Sequence, residues 1–220
     1  EDINLVVKHG DTVGLAGSSG AGKSTTVEII LGLISPQLGD VVVDGTRVTD
    51  INPPQKIGFV PQLVSVVDDT VRRNVAFGVE DALIDDDAVW AAIESARLTD
   101  AIRQMNAGLD TRLNEKGVRL SGGQRQRIGI ARALYLDPSI LILDEATSAV
   151  DNETEAQITE AINAFRRKKT IIIIAHRLST LLGCDYILYF EAGKIGGKGS
   201  FEELIKTQPG FKRLVELSTL

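Results

Sequence analysis

The chain has 220 residues, 43% of them hydrophobic and 25% charged, with a formal net charge of −6. That composition supports one substantial packed core and excludes a disordered polypeptide. The acidic balance speaks against a general nucleic-acid-binding surface, and the single cysteine, Cys184, excludes an internal disulfide and fits a reducing compartment.

No apolar run approaches the ~18 residues that a membrane span needs. The longest, 140–143 and 171–175, are strand-sized, and no secretory leader is recognisable. The chain opens at Glu1 inside an amphipathic stretch (Ile3, Leu5, Val7), as a domain taken from a longer protein would. Any membrane connection is expected outside these residues.

The turn-like Lys8-His9-Gly10-Asp11 leads into the first predicted strand, 12–16, and His9 reads as an ordinary turn residue. A Gly-rich loop and a helix over 22–34 follow, and Ser35-Pro36 is expected to stop the helix. Val41-Val42-Val43 with Asp44-Gly45 predicts a strand and turn, and 56–60 another strand. From 63 to 137 the periodicity turns helical, as over 85–98, where Val89, Trp90, Ile93 and Ala96 keep helical phase. Trp90 is expected as a core anchor. Alternation of strand and helix returns with 139–143, a helix near 153–165 and a strand over 170–175. Both strands are continuously apolar, the pattern of a parallel sheet covered on both faces. Residues 186–190 and 194–197 flank the turn Glu191-Ala192-Gly193 as a hairpin. An amphipathic helical stretch over 201–217, broken near Pro209-Gly210, closes the chain. The expected class is α/β with a mostly parallel sheet, an antiparallel β edge and a helical insertion. Its ligand belongs at the carboxyl ends of the strands.

Gly17-Ser18-Ser19-Gly20-Ala21-Gly22-Lys23-Ser24, with Thr25 following, fits a phosphate-binding loop between strand and helix. Glycines let backbone N–H groups converge on an anion at the positive end of a helix. Lys23 is expected to reach the β- and γ-phosphates, and the Ser24 hydroxyl to ligate Mg²⁺. The pattern points to a nucleoside triphosphate without separating kinases, GTPases and transport ATPases.

The strand 140–143 delivers Asp144 and Glu145 at its carboxyl end. Burying an unpaired charge is costly, so two adjacent carboxylates there suit metal and proton chemistry better than packing. Asp144 is expected to hold Mg²⁺ opposite Ser24, and Glu145 to polarise the attacking water. A bland reading, an acidic helix start, loses ground beside a phosphate loop.

Leu120-Ser121-Gly122-Gly123-Gln124 opens a helical stretch expected to run to Leu136. Ser121 and Gln124 have capping-box spacing, so a merely well-capped helix is one reading. Against it, two glycines in a first turn weaken helix propensity by about 1 kcal/mol each. That loss makes sense if backbone N–H groups must approach an anion. One chain would then carry two phosphate-binding helix starts.

Residues 120–124, followed by Arg125-Gln126-Arg127, closely resemble the signature motif of ATP-binding-cassette (ABC) domains. Val60-Pro61-Gln62 is similar to their Q-loop, Leu143-Asp144-Glu145 to the Walker B end, Ser148-Ala149-Val150-Asp151 to the D-loop, and Ile174-Ala175-His176-Arg177 to the switch-histidine loop. The resemblance implies a P-loop NTPase (RecA-like) core over 1–62 and 137–220, with a helical subdomain over 63–136. It implies that two such domains face each other head to tail, each ATP lying between one chain's P-loop and the other's signature. Ser121, Gly122, Gly123 and Gln124 would then clamp the γ-phosphate held by the partner's Lys23 and Ser24. Gln62 would sense Mg²⁺ and water, His176 would hold Glu145 and contact the γ-phosphate, and Asp151 would carry information across the dimer. ATP and Mg²⁺ are the implied cofactors. The implied partners are a second nucleotide-binding domain and transmembrane domains N-terminal in the same natural chain, at the cytoplasmic face of the plasma or inner membrane.

Residues 69–78, and Gly108-Leu109-Asp110-Thr111 with Glu115-Lys116-Gly117, resemble exporter segments, with Asn114 where a glycine is more usual. This region and Cys184-Asp185 are similar to exporters of lipid-linked saccharides. No aromatic residue precedes Phe59, so the adenine-stacking residue usual in the family is missing from this stretch. The competing readings are an importer cassette, a DNA-maintenance or translation ATPase, and a small-molecule P-loop kinase. The DNA-maintenance and translation types carry coiled-coil insertions or tandem cassettes, and a kinase leaves residues 120–124 and His176 unexplained.

Overall fold

A computed structural model describes residues 2–50, 57–113, 120–144, 152–175 and 178–218. Strand β1 (Thr12–Gly17) is buried throughout and runs through the phosphate loop into helix α1 (Lys23–Ile30). That helix is shorter than the sequence predicts. The N–H of Gly32 returns to Ile29 O at 3.0 Å and that of Leu33 to Glu28 O at 2.9 Å, a Schellman closure that ends it before Ser35-Pro36. β2 (Val42–Val43) and β3 (Thr46–Arg47) form a hairpin whose turn residues Asp44 and Gly45 have φ of 50° and 81°. β4 (Ile57–Val60) follows.

The next stretch is mainly helical: α2 (Val71–Val75), α3 (Asp86–Ser95), α4 (Thr99–Arg103) and α5 (Gly122–Leu134). It also holds a two-stranded antiparallel pair, β5 (Asp69–Thr70) with β6 (Arg112–Leu113), which the sequence does not announce because two residues carry no periodicity. Asp85 caps α3 by accepting from the N–H groups of Asp87 and Ala88. Trp90 is half-buried against the core, with the Arg103 guanidinium over its ring at 5.7 Å. α5 stops at Leu134 rather than Leu136, where Asp137 turns back with a φ of 47° and its N–H meets Leu134 O.

β7 (Ile140–Asp144), α6 (Asn152–Asn163), β8 (Thr170–Ile174) and α7 (Leu178–Leu182) restore the alternation. β9 (Tyr186–Glu191) and β10 (Lys194–Gly199) make the expected hairpin, and α8 (Phe201–Thr207) and α9 (Pro209–Ser218) the expected broken helix. The main sheet has the order β10-β9-β1-β8-β7-β4, parallel except for β10. Ile171 and Ile173 join one apolar cluster while Ile172 and Ile174 join the other, so the sheet is packed on both faces. No described helix is long and apolar enough to cross a membrane.

Candidate nucleotide-binding site

The phosphate loop hangs from the end of β1, and its shape depends on a strand remote in sequence. Gly17 pairs with Phe190 of β9, and a Cβ on Gly17 would lie under 3.0 Å from the Phe190 carbonyl oxygen. Only glycine permits that approach. At the far side of the loop the Gly193 N–H donates to Ala21 O at 3.2 Å, so the β9–β10 turn props the loop from below. Gly20 differs from Gly17: its φ is 76°, yet a Cβ there would meet nothing within 4 Å. The space beside Gly20 is open toward solvent, as a cradle for an anion requires.

Lys23 is only 6% exposed, and its Nζ donates to Gly17 O at 2.8 Å and Ser18 O at 2.9 Å. These bonds hold the ammonium over the mouth of the loop. Ser24 and Thr25 stand exposed in the first turn of α1, while Thr26 turns inward and donates to Gly22 O at 2.8 Å. Ser18, Ser19 and Gly20 are exposed and Ala21 is buried, so the loop presents backbone and hydroxyl groups outward on an apolar foot.

Asp144 reaches the same edge of the sheet. It pairs with Ile174 of β8, and Ile174 pairs with Leu15 of β1, so Asp144 sits level with Leu15, two residues before the phosphate loop, across one intervening strand. Two strand spacings put the backbones of Asp144 and Leu15 about 10 Å apart. Asp144 is half-buried. Val60 pairs with Leu143, which carries Gln62, exposed, past the end of β4 to the same edge. The oxygen donors Ser24 and Asp144 fit a hard divalent cation such as Mg²⁺. Glu145, Ser148 to Asp151, His176, Arg177 and residues 114–117 lie outside the described residues.

The second helix start is built as a capping box. The Gln124 N–H donates to Ser121 Oγ at 3.2 Å and the Ser121 N–H to Gln124 Oε1 at 2.9 Å. Ser121 and Gly122 are exposed and Gly123 is buried. α5 packs against β4, α2 and α3, on the far side of the sheet from β1. Three strand spacings, about 14 Å, separate β4 from β1. The capping-box reading is realised, and the glycine turn opens a helix packed on β4, not on β1. The props from Phe190 and Gly193 have no signal in the sequence, because nothing local marks which turn supports which loop.

The family model described as "ABC transporter" matches residues 1–148. The chain belongs to the ABC transporter family. Within it, the chain is the ATPase domain. It is 44% identical over 209 residues to an "ATP-dependent lipid A-core flippase" of Ralstonia nicotianae, covering 93% of this chain and 35% of the relative. It is 36% identical over 217 residues to a "Multidrug resistance ABC transporter ATP-binding and permease protein" of Lactococcus lactis subsp. lactis, covering 97% of this chain and 37% of the relative. The solved structure of a bacterial Atm1-family ABC exporter with ATP bound matches with a TM-score of 0.85 and 34% identity, over 96% of this chain and 37% of that one. The chain thus spans little more than a third of the length of these relatives.

Proposed function

We propose that this chain is the ATP-hydrolysing motor of an exporter and works as a head-to-tail pair. Residues 63–136 act as a helical lobe on the nucleotide-binding core. The observation that carries the reading is the separation of the two anion-type helix starts. Gly17 to Thr25 follow β1, while Ser121 to Gln124 open the helix that packs on β4, three strand places away, a spacing that favours two different phosphate groups over one. A two-fold partner brings the missing half to each site.

In that arrangement Lys23 binds the β- and γ-phosphates against the loop amides, and the partner's copy of the 121–124 turn closes on the γ-phosphate. Ser24 and Asp144, with Gln62, would hold Mg²⁺, and the ion would neutralise phosphate charge. Glu145 takes the proton of the attacking water, His176 orients Glu145, and Asp151 carries information across the pair. Loss of the γ-phosphate removes the contacts that hold the pair shut, so hydrolysis resets it. The name of the multidrug relative, an ATP-binding and permease protein, supports membrane spans in the same natural polypeptide, and that of the lipid A-core flippase a lipid-linked cargo; in this reading the spans precede the domain, which sits at the cytoplasmic face.

Mixing two inactive variants tests the pairing. Lys23→Ala disables the P-loop half and Gly122→Asp the clamping half. In a mixed pair one composite site is doubly damaged and the other intact. An equimolar mixture should therefore regain about a quarter of the wild-type ATPase rate, half the pairs being mixed and each holding one good site. A mixture as inactive as either component refutes the head-to-tail arrangement.

A further inference from the structure

Gln126 lies two residues beyond Gln124 on α5, and no nucleotide-binding role accounts for it. Its side chain is 7% exposed, on a helix whose Ile128, Ile130 and Ala131 are buried. A buried amide there is costly unless it is hydrogen-bonded, so an apolar side chain would serve packing equally well. The partner that Gln126 has is informative. Its Nε2 donates to Pro61 O at 3.4 Å, the carbonyl immediately before Gln62.

The same segment is held further along the helix. Gly129 leaves room for Val64, since a Cβ there would come under 3.0 Å from the Val64 side chain. Arg132 donates from Nη1 to Ser65 O at 3.1 Å and from Nε to Asn74 O at 2.8 Å. The Asn74 amide in turn takes the Val67 N–H at 3.0 Å and donates to Val67 O at 3.1 Å. Residues 61–65 are laid along α5 from its second turn, at Gln126, to its last, at Arg132. The helix that holds this segment is the one whose first turn is 121–124.

We propose that Gln126 is a positioning residue that ties the Gln62 loop of one nucleotide site to the phosphate-clamping first turn of α5. The inference rests on the head-to-tail reading above, and Gln126 itself touches neither nucleotide.

Gln126→Met keeps the volume and removes the donor. Five quantities are read: the thermal midpoint, the affinity of the monomer for a fluorescent ATP analogue, kcat and KM for ATP, and ATP-driven dimerisation in a Glu145→Gln background. Expected are a thermal midpoint within about 3 °C of the parent and analogue affinity and KM within about twofold. Loss of one tie at the closing step should lower kcat, and raise the protein concentration needed for dimerisation, by about five- to tenfold. An unchanged kcat overturns the proposal, as does a loss of kcat that tracks a fall in thermal midpoint and nucleotide affinity, which would mark a packing role. If the mixture of Lys23→Ala and Gly122→Asp stays inactive, the pairing itself fails and this inference with it. If the mixture regains activity while Gln126→Met is silent, only the tie is wrong.

Discussion

Two glycines of the phosphate loop share a positive φ but should fail in opposite ways when given a methyl group. Gly17 has a φ of 150°, and its added Cβ would crowd the Phe190 carbonyl oxygen, with Phe190 C and Cβ at 3.2 Å. That neighbour is the backbone of an adjacent strand and cannot rotate away. Overpacking of about 1–3 kcal/mol adds to backbone strain of about 1–3 kcal/mol, so Gly17→Ala should cost about 4 kcal/mol. For a chain of this length that lowers the thermal midpoint by about 8–16 °C. Gly20 has a φ of 76° and open space around it. Strain of about 1–2 kcal/mol is partly offset by the stiffer unfolded chain, so Gly20→Ala should lose only about 2–4 °C. Its methyl group instead occupies the space proposed for the phosphates, and ATP affinity should fall about tenfold or more. Calorimetry without nucleotide and titration with a fluorescent ATP analogue at 15 °C separate the two effects. If Gly17→Ala melts within 3 °C of the parent, or Gly20→Ala melts as low as Gly17→Ala, the assignment of one glycine to packing and the other to the anion is wrong.

Asn74 is fully buried and serves Val67, Asp69 and Thr70 at once, so Asn74→Leu should strand several backbone groups. The expected loss is about 3 kcal/mol, with faster amide exchange over 63–70; native-like exchange there would contradict it. Burial pushes the Cys184 thiol up to about 12 from 9.0. The folded chain therefore holds that proton more tightly than the unfolded one, and the associated stability is complete below pH 9 and declines as pH rises from there toward 12. Burial also raises the Tyr186 hydroxyl to about 12 from 10.0, so it contributes from pH 10 upward. The thermal midpoint should fall between pH 9 and 10 in the parent and stay flatter in Cys184→Ala; identical slopes in that interval would remove Cys184 from the account.

The sequence alone determined the chemistry that is local in the chain. A phosphate loop needs eight consecutive residues, Asp144 follows directly from its apolar strand, and the capping box of Ser121 and Gln124 spans one helical turn. Such features can be read because their physical cause lies within a few residues. The same reasoning placed the β9–β10 hairpin, the break before Pro209 and the continuous burial of 170–174. Tertiary structure alone decided what meets what. Strand order set Asp144 level with Leu15 across β8, because parallel pairing is chosen by packing on both faces rather than by any one strand. The closeness of Gly17 to Phe190 and of Gln126 to Pro61, and the two-residue pairing of β5 with β6, join positions from 42 to 173 residues apart. Hydrophobic periodicity says which face of an element is buried, not which partner covers it. For that reason two candidate anion-binding turns were legible in the sequence, and the strands on which their elements pack were not.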